Sequence, residues 1–338
     1  MYKSEIMKKT YIIAEIGNTH EGSVGLAKQF IKAAADCGVD AVKFQTHIFE
    51  AESLPSAPNP SYFKDETRKE YFERTAFTIE QYKILKDYAE NECKVDFFSS
   101  PFSLEAVDFL MEVGVSTFKI PSGEVSNIPL LEHVAKTGKN VILSSGMSSW
   151  EELDRAVAVF KDKEKLTILQ CTSEYPCKPE NAGLNVMLEI KERYQCKVGF
   201  SDHTLGIGVP LTAVVLGATL VEKHFTLSKL MYGSDAKNST EPKEFKHMVD
   251  NIRAAELAIT SKIDKNEIVK ELGEMKFVFE KSIVSARELK AGHVISEEDL
   301  VYKKPGDGIP AKDYKNVIGK KVIKNIAANE KIEFSQIQ

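Results

Sequence analysis

The chain has 338 residues, of which 43% are hydrophobic and 28% charged, with a formal net charge of −5. That is ample apolar material for a core, and the length suits one barrel of roughly 250 residues plus a small addition. A slightly acidic balance without a long basic run argues against nucleic acid and anionic membrane as partners.

Short β-branched or aromatic runs alternate with longer amphipathic stretches. Residues 1–8 read as a loose leader, with Met7 as an alternative start. The first strand is predicted at 10–16, followed by a helix at about 24–37; the second strand spans 41–45, and its helix about 79–91. Strand–helix units follow at 95–99 with 104–113, 117–120 with 128–136, and 140–144 with 149–160. The last three are 166–170 with 185–193, 197–201 with 209–216, and 220–224 with 242–259. Ser149-Trp150-Glu151-Glu152 reads as a capping box, which starts a helix by satisfying free N–H groups. Eight such units predict an α/β fold, a (β/α)8 TIM barrel over residues 1–260. The rival is an open doubly wound sheet, but no G-x-G-x-x-G follows the first strand.

One connection is long. Residues 46–78 hold Pro55, Pro58 and Pro60 and then Tyr62, Phe63, Tyr71 and Phe72. Loops of this length are usually lids or binding elements, and an ordered surface excursion is the competing reading. After the barrel, residues 261–281 turn charged and read as a linker, and 282–338 form a small β-rich domain. This tail contains a faint repeat, in which 286–300 echoes 323–337. A domain this small without disulfides is marginal alone, so it is expected to dock on a barrel, its own or a neighbour's.

The five cysteines (Cys37, Cys93, Cys171, Cys177 and Cys196) contain no C-x-x-C pair. Reduced thiols and a cytoplasmic setting are the expectation. The apolar stretch 11–16 is too short for a signal peptide and is broken by Ala14-Glu15, and no run approaches the ~20 residues of a membrane span.

In such barrels reacting groups sit where strands end and βα loops begin. Those positions carry Glu15, Lys43 and Gln45, Ser100, and Lys119 followed by Ser122 and Glu124. Next come Ser144, then Tyr175, Ser201 with His203, and His224, with Asp235 in the loop beyond. Lys43 and Gln45, two residues apart, share a strand face. Lysines in a barrel mouth need an anion. That anion is either a phosphorylated or carboxylated ligand or a structural partner such as Glu15, Glu124 or Glu222. His203 and His224 end consecutive strands, about 4.8 Å apart in a sheet. At similar depth they would grip one divalent ion, and such a donor set suits Mn²⁺, Mg²⁺, Co²⁺ or Zn²⁺. Asp235 would bind ion or sugar, or cap a turn. His20 in the first loop is either a hydrogen-bonder or a substrate contact.

These strand ends, in this order, resemble the sialic acid (N-acetylneuraminate or nonulosonate) synthase family over nearly the whole chain. The carrying motifs are Ala14-Glu15-Ile16-Gly17, Val42-Lys43-Phe44-Gln45-Thr46 and Lys119-Ile120-Pro121-Ser122-Gly123-Glu124. With them stand Ser144-Ser145-Gly146-Met147, Ser201-Asp202-His203-Thr204 and Glu222-Lys223-His224-Phe225-Thr226. Through Leu289-Lys290-Ala291-Gly292 and Lys304-Pro305-Gly306-Asp307-Gly308-Ile309, the tail resembles that family's antifreeze-like (SAF) domain.

The resemblance implies a C–C bond-forming transferase that condenses phosphoenolpyruvate with an N-acylated mannosamine-type sugar. The product is a nine-carbon α-keto acid, with phosphate released by C–O cleavage, and N-acetylneuraminate synthase is the first expectation. It implies that Lys43, Gln45, Ser100, Lys119, Ser122, Ser144 and Ser201 cradle phosphoenolpyruvate. His203 and His224 would hold Mn²⁺, with Mg²⁺ or Co²⁺ as alternatives. Glu124 would transfer a proton, and Glu15, Tyr175 and Asp235 would position ion, water or sugar. It further implies a homodimer with swapped SAF domains, in which Lys304, where members usually carry arginine, reaches the partner's sugar. The first loop also departs from the family pattern, with Thr19-His20 in place of Asn-His. The alternatives are a legionaminic or pseudaminic acid synthase using a 2,4-diacetamido-trideoxy sugar, a metal-dependent barrel aldolase or isomerase, and a non-catalytic sugar-binding protein.

Overall fold

A computed structural model of the chain describes residues 9–59 and 65–338. The expected leader with Met7, and Pro60, Tyr62 and Phe63 of the long connection, lie outside the described residues. The chain divides into two compact units, residues 1–260 and 261–338.

In the first unit eight parallel strands close into a barrel. They are β1 (Tyr11–Gly17), β2 (Ala41–Thr46), β3 (Asp96–Pro101), β4 (Thr117–Ile120), β5 (Asn140–Ser144), β6 (Leu166–Cys171), β7 (Lys197–Asp202) and β8 (Leu220–His224). The outer helices are α1 (Val24–Asp36), α2 (Phe49–Glu52), α3 (Arg68–Thr75), α4 (Ile79–Asp87) and α5 (Leu104–Val113). They continue with α6 (Ile128–Lys136), α7 (Trp150–Val159), α8 (Leu184–Tyr194), α9 (Gly208–Val215) and α10 (Pro242–Thr260). Side-chain oxygens of Ser23, Thr78, Ser103 and Asn127 accept N–H groups of the first turns of α1, α4, α5 and α6. The Ser149–Glu152 capping box read from the sequence starts α7. The long connection is not a bare loop. It holds α2 and α3, the latter opened by a Thr67–Glu70 capping box.

Strand parity organises the interior, because successive side chains point to opposite faces. Ile12, Ala14, Val42, Phe44, Phe97, Phe118, Ile168 and Val221 face the helices in the main core. Ile13, Ala41, Phe98, Ile142, Leu169 and Leu220 form a separate apolar plug within the barrel. Two residues further along the same strands stand Glu15, Lys43, Ser100, Ser144, Cys171 and Glu222, a polar layer above an apolar floor. β7 and β8 approach closely because Gly199 has no side chain; a Cβ there would lie 2.4 Å from the Leu220 carbonyl oxygen.

At the opposite end, α10 grips the start of β1. Arg253 donates to the Thr10 carbonyl (2.8 Å) and to Asp40 Oδ2 (2.6 Å), and the same Asp40 oxygen accepts the Ile12 N–H (2.9 Å). Glu256 accepts the Thr10 N–H.

The second unit begins with α11 (Lys265–Glu271) and α12 (Gly273–Phe279) and continues to an antiparallel pair, β9 (Ser282–Ser285) and β10 (Leu300–Lys303). The sequence echo is built into its core. Leu289, Ile295 and Leu300 of the first copy and Ile326, Ile332 and Ile337 of the second are all buried together. Leu289 and Ile326 bridge one another. Among the described residues no helix is long and apolar enough to cross a membrane.

Arg253→Ala should remove the cation that joins the Thr10 carbonyl, Glu256 and Asp40, leaving Asp40 with only the exposed Lys9, and lower unfolding free energy by about 1–3 kcal/mol. A urea midpoint unchanged from the parent chain would show that the clamp on β1 carries no weight.

Candidate active site at the barrel mouth

The polar layer is a cluster of buried charges. Lys43 Nζ lies 3.0 Å from Glu15 Oε2 and 3.6 Å from Glu222 Oε1, and Lys119 Nζ lies 3.5 Å from that same Glu222 oxygen. No side chain of the four is more than 5% exposed. Lys43 donates to Ser100 Oγ (3.3 Å) and Lys119 to Ser144 Oγ (2.7 Å). Those hydroxyls, accepting from lysines, keep their own hydrogens for an oxygen ligand. Ser201 donates to Glu222 Oε1 (3.2 Å), and Gln45 Nε2 donates to Glu15 Oε1 (2.8 Å). Ser122 Oγ accepts the Gly146 N–H at the rim of the same mouth.

The two carboxylates differ. Burial pushes the Glu15 carboxyl up to about 7, with Lys43 pulling the other way. At Glu222 burial also opposes ionisation, but Lys119 and Lys43 outweigh it and hold the group at about 2. Burial lowers the Lys119 ammonium. For Lys43, Glu15 and Glu222 overcome burial and raise it. Near neutrality Glu15 is therefore partly protonated, and two lysines face one permanent carboxylate. With Glu15 protonated, two lysine side chains share the one firm carboxylate of Glu222, an arrangement that suits an anionic ligand. Of the two sequence readings of the lysines, the structural one is seen directly, since they pair with Glu15 and Glu222 in one mouth. Glu124 is not their partner; it accepts from Asn127 Nδ2 (2.8 Å), and burial raises its carboxyl.

Above this layer the imidazoles of His203 and His224 face each other, ring centroids 5.6 Å apart, with the Tyr175 ring 4.1 Å from His203. His203 Nδ1 lies 2.8 Å from the Thr172 carbonyl and donates to it, which leaves Nε2 as the ring's lone pair. For His203, burial opposes the charged form, but Cys171 and the Thr172 carbonyl outweigh it and raise the ring. Burial lowers His224 to about 4, so it is neutral at pH 7. Asp235 Oδ2 lies 4.0 Å from His224 Nδ1. Gly17 makes room for that carboxylate. Its φ of +58° suits glycine, and a Cβ there would sit 2.8 Å from Asp235 Oδ2. Among the described residues no three His, Cys, Asp or Glu side chains close around one point. The donor set is instead half-open, two imidazoles with a carboxylate beside them and Glu222 Oε2 buried without a hydrogen-bond partner. Such a set fits a catalytic divalent ion whose remaining positions go to water and substrate.

A cavity of about 410 Å³ opens beside His224. Gln45, Glu124, Tyr175, His224 and Asp235 line it from the strand ends and βα loops. Glu52, Asn59, Arg68 and Phe72 line it from the long connection, which is therefore a wall of the cavity and not a surface excursion. His47 fastens that wall. Its ring is sandwiched between Phe72 (3.8 Å) and Phe102 (4.0 Å), and its nitrogens face Glu52 Oε1 (2.8 Å) and Gln45 Oε1 (3.1 Å). Arg74 bridges Glu66 of the connection to Glu21 of the first loop.

Sequence reasoning missed His47, Glu52, Asn59 and Arg68; the signal that was there is Thr67-x-x-Glu70, which marks a helix. His20 is buried, stacked on Phe77 and accepting the Gly22 N–H, and it does not line the cavity. Lys304 stands in the second unit, its ammonium 4.7 Å over the Phe279 ring.

The fold and mouth define a TIM-barrel protein of enzyme type, with polar side chains from all eight strand ends aimed at one anion-attracting pit. Residues 30–264 match the NeuB family and residues 280–338 the SAF domain, and the chain belongs to the NeuB family. It is 40% identical over 337 residues to the N,N'-diacetyllegionaminic acid synthase of Campylobacter jejuni, covering 96% of this chain and 99% of that one. It is 35% identical to the pseudaminic acid synthase of the same species, over 98% and 97% of the two chains. The N-acetylneuraminic acid synthetase of Leptospira borgpetersenii has a similar structure, with 31% identity and a TM-score of 0.68 over 82% of this chain and 97% of that one.

The raised Glu15 pKa has a consequence for stability. The folded chain keeps a proton that the unfolded chain releases near the ordinary value of 4.5, so this contribution favours folding below that pH. It is lost as pH rises to about 7. Glu15→Gln cannot titrate, so its stability relative to the parent should grow by up to about 3 kcal/mol between pH 4.5 and 7.5. Urea unfolding across that range measures the difference, and a constant gap would mean that Glu15 titrates as an ordinary carboxyl.

Proposed function

We propose that the chain is a cytoplasmic nonulosonic acid synthase that condenses phosphoenolpyruvate with an N-acylated mannosamine-type sugar, N-acetylmannosamine first. The observation that carries this reading is the pit of Lys43 and Lys119 with its serine donors, directly beneath two facing imidazoles, in a member of the NeuB family.

In this reading Lys43, Lys119, Gln45 and the hydroxyls of Ser100, Ser122, Ser144 and Ser201 bind the phosphate and carboxylate of phosphoenolpyruvate. They do so without drawing cations out of water, since the lysines already sit in the pit. The open-chain sugar lies in the cavity above, between Tyr175, Asp235 and the wall of Glu52, Asn59 and Arg68. When bound between His203 and His224, a divalent ion of the Mn²⁺ class (Mg²⁺ or Co²⁺ are alternatives) supplies Lewis-acid polarisation of the aldehyde oxygen. The methylene carbon of phosphoenolpyruvate bonds to the aldehyde carbon, and the new alkoxide takes its proton from Glu124, whose raised carboxyl suits a proton donor. Water positioned by Glu15 adds at C2 of the former enol and returns one proton to the Glu124 carboxylate, its second proton passing to the departing phosphate. The C–O bond to phosphate then breaks, and the bridging oxygen leaves with the phosphate.

A homodimer belongs to the proposal. Met275, Phe277, Val278 and Phe279 of α12 are each about half exposed, a cluster that suits burial against a second chain. Lys304 of the partner subunit would then reach the sugar. Its ammonium carries three rotatable donors but not the planar, parallel pair with which a guanidinium makes a bidentate contact.

Mass analysis of products tests the reaction, with phosphoenolpyruvate offered beside N-acetylmannosamine, its 6-phosphate and diacetamido-trideoxy sugars. Phosphate release should require both substrates, and a nine-carbon keto acid should appear. Release without sugar, or turnover without phosphoenolpyruvate, would end the proposal, while preference for a diacetamido sugar would move it to the legionaminic or pseudaminic branch. His203→Ala and His224→Ala should each cut metal-dependent turnover by at least about 10²-fold while circular dichroism stays unchanged. Full turnover of both variants under a strong chelator would remove the metal. Light scattering at active concentration should give a dimer mass, and a monomer would refute the shared site.

A further inference from the structure

We infer that the ion pair of Asp202 and Lys223, on the outer face of the barrel, is a positioning pair that holds His203 and His224 at the separation needed to share one divalent ion; this rests on the reading of those two imidazoles as ligands.

The geometry begins with parity. On β7 and β8, Ser201 and Glu222 meet inside the barrel, where Ser201 donates to Glu222. The next residues, Asp202 and Lys223, are register partners and point the other way. One step further, His203 and His224 return to the inside. The outer pair thus sits between the last inner contact of the charged layer and the two imidazoles. It is deeply buried, with side-chain exposures of 0% for Asp202 and 4% for Lys223.

Its hydrogen bonding is directed at the loop that carries His203. Asp202 Oδ2 accepts from Lys223 Nζ (2.5 Å), and Oδ1 accepts both the Thr204 N–H (3.0 Å) and the Thr204 hydroxyl (2.8 Å). Lys223 Nζ donates again, to the Thr204 carbonyl (2.7 Å). Thr204, the residue after His203, is therefore tied to β8 through Lys223 and to β7 through Asp202. His203 is fixed on its other flanks as well, its carbonyl accepting the Cys177 N–H and its Nδ1 donating to Thr172. The His224 carbonyl accepts the Thr240 N–H (2.9 Å). Each backbone is held on its own side, and Asp202–Lys223 adds, on the outer face, a side-chain link between the two strands beside the inner Ser201–Glu222 contact. A buried pair is a poor source of stability compared with apolar residues of similar size, but it specifies register. Here a one-residue slip of β7 against β8 would carry one imidazole to the outer face.

The test is Mn²⁺ binding by the full chain, read by electron paramagnetic resonance of the free ion, with melting temperature recorded in parallel. Asp202→Leu/Lys223→Met replaces the pair with apolar side chains of similar size. It should stay folded but melt below the parent, because the buried Thr204 N–H and carbonyl lose these partners, and it should bind Mn²⁺ about 10- to 100-fold more weakly, the range seen when groups that orient metal ligands are removed. Lys223→Arg keeps the charge and should bind within about threefold of the parent. If the double variant does not fold, Asp202→Asn decides, because it keeps the volume and the Thr204 contact while losing the charge; several-fold weaker Mn²⁺ binding is expected. A folded double variant, or an Asp202→Asn chain, that binds Mn²⁺ as the parent does overturns the inference and leaves the metal reading standing. A parent chain that binds no Mn²⁺ overturns both.

Discussion

Two lysines and two glutamates buried together above an apolar plug are the constraint on which the mouth depends. Each ion taken out of water alone would cost several kcal/mol, and the layer persists because every charge has an opposite within 3.6 Å. The arrangement is deliberately unequal. Glu222 is shared by both lysines and is firmly ionised, whereas Glu15 has Lys43 and the amide of Gln45 and is only partly ionised near neutrality. A set of charges that balanced in full would be only a structural brace. This one keeps a positive surplus and several hydroxyl hydrogens pointed at the mouth, so an incoming anion meets donors that are already in place.

The same alternation that stacks the charged layer on the plug separates two kinds of work. Inward positions on the strands carry the polar mouth, and the outward Asp202 and Lys223, one residue away, pair between β7 and β8. β7 and β8 show this most clearly, with Ser201, His203, Glu222 and His224 inside and Asp202 and Lys223 outside. Gly199 belongs to the same construction, since any side chain there would push β8 away and widen the gap between the imidazoles.

Much of this was readable from the sequence because parallel strands buried on both faces stand out as apolar runs, and the polar residues that end them stand out against those runs. All eight strands and all but one of their helices lie within about two residues of their predicted limits; α4, predicted to 91, ends at Asp87, where a π-helical turn continues it to Glu92. Glu222 could be read only as one of several partners, because spacing along a strand says which face a residue shares but not which lysine across the barrel it meets. The long connection was opaque for a different reason. Glu52, Asn59 and Arg68 follow no periodicity, and they reach the cavity through contacts distant in sequence, such as His47 between Phe72 and Phe102. Its two helices are short, so only the Thr67–Glu70 capping signal marked either of them. The tail's repeat was faint as a string of letters and plain as packing, where Leu289, Ile295 and Leu300 recur as Ile326, Ile332 and Ile337.

The two substrates of the proposed reaction meet unlike surroundings. The donor pit is made of strand side chains locked by ion pairs and hydrogen bonds; exchanging Lys43 would strip Glu15 of its cation, and exchanging Glu222 would strip Lys119 of its carboxylate. The acceptor cavity is made of loops, the α2–α3 wall, the turn around Tyr175 and the Ser234–Asp235 segment, joined by aromatic stacking and half-exposed ion pairs that tolerate change. A scaffold divided in this way can keep one anionic donor and exchange its sugar by altering the wall. Relatives named for legionaminic, pseudaminic and N-acetylneuraminic acids all align with most of this chain. Residues that choose among acceptors are therefore to be sought at Glu52, Asn59, Arg68 and the Ser173–Tyr175 turn, where substitution reshapes the cavity without unpairing a charge in the pit.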